Sequence, residues 1–194
     1  MKYTSGIILI IIFAGVVGCN NNVKDTKTGK QDKFIDIPAY FKSEEQQLIQ
    51  SGITFQKKVT FNGKSEAVAI ESKDTNAIQH LLKPFLDIDL NKPSLVNEYD
   101  TTSLTDPFSG RKSIIYKSKG KQTNPDEITM ETDKNGTIQQ VTVQSYTSSL
   151  VYEYRQHLVY QRGKAIMINT YQRIAFLTPK EVEITAKKED KNQL

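Results

Sequence analysis

What this chain lacks bounds it before anything it has. A single cysteine in 194 residues leaves no internal disulfide, and two histidines make a zinc site or a histidine-based triad poorly supplied. No G-x-S-x-G elbow, glycine-rich phosphate loop, H-E-x-x-H pair or paired-cysteine cluster occurs. No cofactor is expected, no catalytic residue is assigned, and the balance leans away from an enzyme. An apolar run long enough to stay in a bilayer is also missing. The stretch from Gly6 to Gly18 is thirteen residues, whereas a helix crossing about 30 Å of hydrocarbon needs roughly 20.

That short run instead has the parts of a secretory signal: Lys2 as a positive start, Gly6 to Phe13 as the apolar segment, and small residues leading to a cleavage site. The order Val16-Val17-Gly18-Cys19 resembles the lipobox of bacterial lipoproteins. The resemblance implies that residues 1–18 are removed by signal peptidase II. Cys19, the lipidation site, would then carry a diacylglycerol on its thiol and an acyl group such as palmitate on its new amino end. A lone exported thiol is an oxidation liability that acylation removes. At about 0.8 kcal/mol per buried CH₂, two or three acyl chains make a permanent anchor.

Residues 19–33 are almost wholly polar, a composition that cannot bury enough apolar area to offset the entropy of ordering. They read as a tether with a root-mean-square reach of roughly 20 Å and a taut limit near 50 Å. The absence of Asp after Cys19 resembles the enterobacterial signal for an outer membrane, and the reduced acidic run favours its periplasmic face over the cell surface.

Residues 34–187 read as one α+β domain: an antiparallel β-sheet meander of about seven to eight strands packed against two helices. The first helix is expected over Pro38 to Ser51, after Asp36 as its cap. Asn62-Gly63 between alternating runs is the clearest hairpin cue, pairing Phe61 with Lys64, Val59 with Glu66, Lys57 with Val68 and Phe55 with Ile70. Its apolar face is expected to pack on helix one. Asp74 caps a second helix that Pro84 should kink or end near Leu82, with His80 a flank residue beside the apolar stripe. Strands follow over Ser113–Ser118, Glu127–Thr132, Thr137–Tyr146, Leu150–Tyr160, Lys164–Phe176 and Glu181–Ala186, separated by turn residues. The lysine-rich end, 188–194, should fray as a disordered tail.

Two stretches raise the question of a site. Between Leu150 and Tyr160, Tyr152, Tyr154 and Tyr160 share one strand face, and Glu153, Arg155 and His157 share the other. The tyrosines suit core, interface or ligand cleft, and the ionisable trio suits a polar binding site or a solvated surface. Asp87, Asp89, Asn91 and Glu98 fall at positions 1, 3, 5 and 12 of a calcium loop. Position six needs glycine for a sharp turn and holds Lys92, so no metal site is assigned, and a cation there is only the alternative.

The segments Ile37-Pro38-Ala39-Tyr40-Phe41, Asn62-Gly63-Lys64-Ser65-Glu66 and Asp87 to Pro93 together resemble a group of Bacteroidetes-type envelope lipoproteins. The resemblance implies an envelope location and no activity. Two functions are expected to compete: a non-catalytic module that binds an envelope protein or assembly partner, and a carrier that shelters an apolar ligand, a lipid or lipoprotein acyl chain, in a curved antiparallel sheet. The net charge of +4 and the basic cluster around Arg111 and Lys121 suit weak attraction to anionic headgroups. Nucleic acid is not an expected partner of an exported chain.

Overall fold

The structure, a computed structural model, describes residues 33–120 and 123–189. The signal segment, Cys19 and the tether up to residue 32 lie outside the described residues, as do positions 190–194 of the expected tail. No described helix is long and apolar enough to cross a membrane.

The first described element is helix α1 (Ile37–Gln50), one residue earlier than its proline suggested, capped by the Asp36 carboxylate accepting from the Ala39 N–H at 2.9 Å. Strands β1 (Thr54–Phe61) and β2 (Lys64–Glu71) follow as a hairpin with the register read from the Asn-Gly turn. Helix α2 (Thr75–Leu86) comes next and does not stop at Pro84. Proline forfeits one amide bond near the helix end, while Phe85 beyond it is fully buried and stacks on Phe41 at 4.6 Å, a contact that requires the last turn to be helical. His80 is exposed.

Seven further strands run as a meander: β3 (Tyr99–Thr105), β4 (Lys112–Ser118), β5 (Glu127–Thr132), β6 (Ile138–Ser148), β7 (Tyr152–Gln161), β8 (Ala165–Ile174) and β9 (Lys180–Lys188). The described residues thus form nine strands, where about seven to eight were expected. The additional strand is β3, which buries only Tyr99 and so has no alternating apolar pattern to announce it. All strands join one antiparallel sheet in the order β2-β1-β9-β8-β7-β6-β5-β4-β3. The amino-terminal hairpin therefore docks on the last strand, and α2 with its following loop carries the chain from one sheet edge to the other. Because β9 lies between β1 and β8, its backbone stays paired through Lys188, and the Glu189 N–H still donates to the Thr54 carbonyl.

Both helices cover one sheet face. Phe41, Ile78, Leu82 and Phe85 meet Tyr160, Leu158, Val141 and Ile128 in one continuous core. Only the base of the hairpin shares it: Phe55 and Ile70 are buried, whereas Phe61 and Val68 on the same face are 49% and 56% exposed. Strand direction also defines two rims. The first carries the β1–β2, β4–β5, β6–β7 and β8–β9 connections and the point where Phe34 enters, wedged edge-on between Tyr99 and Tyr116. The second carries the β3–β4, β5–β6 and β7–β8 turns.

Candidate functional site

The sheet face opposite the helices is open, and antiparallel register lines its side chains up in rows across four strands. One row reads Gln144, His157, Asn169, Glu183, and the next reads Tyr146, Arg155, Tyr171, Glu181. Together they line a trough of about 570 Å³ that runs across β6 to β9.

Arg155 is its centre. The guanidinium lies 6.0 Å from the Tyr146 ring and 5.4 Å from the Tyr171 ring, close enough for both aromatic faces to attract the cation. Its Nε donates to Glu153 Oε1 at 2.8 Å, and Arg173 Nε donates to the other carboxylate oxygen at 3.1 Å. Glu153 is thereby buried beneath two arginine side chains although it sits on the open face. Hydrogen bonds and charge from Arg155, then Arg173, hold its carboxyl below the usual carboxylate range, and Glu153 in turn raises Arg155 above its ordinary value. At the trough wall, burial lifts the Asp126 carboxyl above its ordinary value against an opposing hydrogen bond from the Tyr146 N–H. The trough therefore presents two aromatic faces, a fixed cation, amides and an imidazole, with Glu181 and Glu183 along its β9 side. Such a surface can stack on and hydrogen-bond a polar ligand.

The residues expected on β7 divide between faces as strand parity requires. Glu153, Arg155 and His157 come together in or beside the trough, while Tyr152, Tyr154 and Tyr160 point to the helix side. Tyr160 is fully buried there and its hydroxyl donates to Glu44 Oε2 at 2.5 Å, so it belongs to the core. Tyr152 and Tyr154 stack at 6.5 Å with nearly parallel rings. Tyr154 also borders a second cleft of about 340 Å³, whose apolar wall includes Pro84, Ile88, Leu90 and Leu95. Tyr146 and Tyr171 complete the trough and were not singled out from the sequence. The signal for them was the Arg162-Gly163 reversal, which sets Tyr171 against Arg155 once the turn length is known.

The stretch from Asp87 to Glu98 is occupied by structural contacts. Asp87 caps α2 and pairs with Lys83, Asp89 accepts from the Asn91 N–H, and the Asn91 amide clips the Phe34 backbone through both its oxygen and its nitrogen. The Glu98 carbonyl accepts from the Lys119 N–H. Among the described residues no three His, Cys, Asp or Glu side chains are arranged to hold a metal ion. No family model, curated protein or solved structure matches the chain.

Proposed function

We propose that this chain is an envelope lipoprotein held to the membrane through Cys19, whose domain is a non-catalytic binding or assembly module taking its partner on the helix-free sheet face. The row Tyr146, Arg155, Tyr171 carries this reading. Two rings flank a cation already fixed by Glu153, so a ligand meets donors that lose little freedom on binding. Aromatic and arginine side chains of this kind dominate binding energy at protein interfaces. The partner that fits is a polar, extended segment of an envelope protein lying across β6 to β9. The outer membrane, on its periplasmic face, is the proposed location.

Acyl-chain labelling of the full chain tests the anchor: label on the native chain and none on Cys19→Ser is expected, and label retained by the serine variant would remove it. The binding face is tested by purifying the native chain from its membrane beside an Arg155→Ala, Tyr171→Ala double variant. A stoichiometric partner lost from the variant supports the module, whereas identical co-purifying material from both would count against it.

The cleft beside Tyr154 favours a second reading, a carrier for an acyl chain. Its volume of about 340 Å³ sits at the low end for a pocket that buries a ligand, and Asp87, Asp89 and Lys92 share its lining. Lipid recovered with the protein and lost on Leu95→Arg would support the carrier.

A further inference from the structure

The two rims of the sheet differ in one respect that the binding trough does not use. Each turn on the second rim carries both charge signs or a cation pair: Asp106 with Arg111, Asp133 with Lys134, Arg162 with Lys164. On the first rim the β4–β5 connection carries Lys119 and Asp126, but the turns Asn62-Gly63, Ser149-Leu150-Val151 and Ala175 to Pro179 carry no charge at all. They hold instead the most exposed apolar side chains there, Leu150 at 101% and Phe176 at 104%, with Val151 and Leu177 also exposed. Phe176 takes φ of 67°, a left-handed conformation uncommon for a residue with a side chain, and so the turn carries local strain while it presents a ring to solvent.

We infer that this rim is a membrane-contacting edge, with Leu150 and Phe176 inserting at the headgroup–acyl boundary of a lipid bilayer. Two observations select lipid as the occupant. The apolar side chains stand out singly from neighbouring turns, joined by the Ala175 N–H donating to the Val151 carbonyl, and protruding tips suit a deformable phase better than a packed protein surface. Directly behind them Tyr152 sets an amphipathic ring, and Lys64 and Lys180 flank the turns with no ion pair among the described residues, the order of apolar tip, tyrosine and cation that a bilayer surface has.

The test exploits the absence of tryptophan from the chain. Phe176→Trp, and Phe108→Trp at the equally exposed tip of the opposite rim, are made in the full chain and reconstituted into phosphatidylethanolamine–phosphatidylglycerol vesicles with brominated acyl chains. Blue-shifted emission and quenching at position 176, with neither at 108, are expected. A water-exposed signal at 176 in protein that sediments with the vesicles would overturn the inference while leaving the anchor intact. A blue shift at 176 that appears without lipid and grows with protein concentration would also overturn it, by assigning the rim to self-association. Quenching at 176 with no acyl mass on Cys19 would keep the inference and remove the anchor. In the full chain carrying Cys19→Ser, replacing Leu150 and Phe176 together by serine should weaken vesicle partitioning by about tenfold or more. Phe108→Ser should leave it unchanged, and equal loss from both would contradict the assignment.

Discussion

Glu44 occupies a core-facing position of α1 where an aliphatic residue would be expected, and its partners explain why it is tolerated. Tyr160 donates to one carboxylate oxygen and Arg162 approaches the other at 3.2 Å, so the buried charge is met on both sides. Burial, reinforced by Glu44, pushes the Tyr160 hydroxyl well above its ordinary value, which keeps it a donor. Tyr160→Phe should therefore destabilise the domain by about 1.5–3 kcal/mol, the worth of a hydrogen bond to a charged group, as read from urea unfolding. Glu153 gives an opposite signature with pH. Its folded pKa is depressed, so its contribution is present above the unfolded carboxylate value and is lost as pH falls through the depressed one. Glu153→Gln should flatten that acid limb of the stability curve, and an unchanged pH profile would mean that the Arg155 and Arg173 contacts do not persist in solution. The parity of the β7 tyrosines was legible from the sequence, but not that Tyr160 is covered and Tyr152 is not. Cover depends on where α1 lies, which no residue of β7 encodes.

Among the elements, the β1–β2 hairpin was the most legible because its turn chemistry is local. Asn62 and Gly63 take φ of 45° and 83°, as a two-residue turn between twisted strands requires. A Cβ added at Gly63 would meet nothing within 4 Å, so the cost of Gly63→Val is conformational alone. It should destabilise by about 1–2 kcal/mol, and an unchanged melting temperature would contradict the turn. By contrast β3 escaped notice because an edge strand with one buried residue needs no apolar alternation. Its threonines and Asp100 are what blunts an exposed edge against pairing with another chain. For a related reason the distal half of β1 and β2 is not legible from alternation, which shows that Phe61 and Val68 share a face with Phe55 but not that only Phe55 and Ile70 at its base are covered.

For the whole molecule, the core forms between the two helices and the sheet within residues 34–187, so a chain starting near Phe34 should fold without membrane or lipid. Circular dichroism should report more strand than helix and one cooperative melt; a non-cooperative melt, or folding only in detergent, would make the anchor or a membrane partner part of the core. The trough could not be read from the sequence, since its rows join residues on four strands through turns whose lengths set the register. Glu153, Arg155 and His157 marked its middle, while Tyr146, Tyr171, Glu181 and Glu183 reached it only through pairing. The most direct test of the proposed binding role places a photo-crosslinking residue at position 171, in the trough, and another at position 80, on the exposed side of α2, in the full chain in its native cells. The account predicts a discrete adduct with an envelope protein from position 171 and none from position 80. The same adducts from both positions, or lipid alone from position 171, would contradict it.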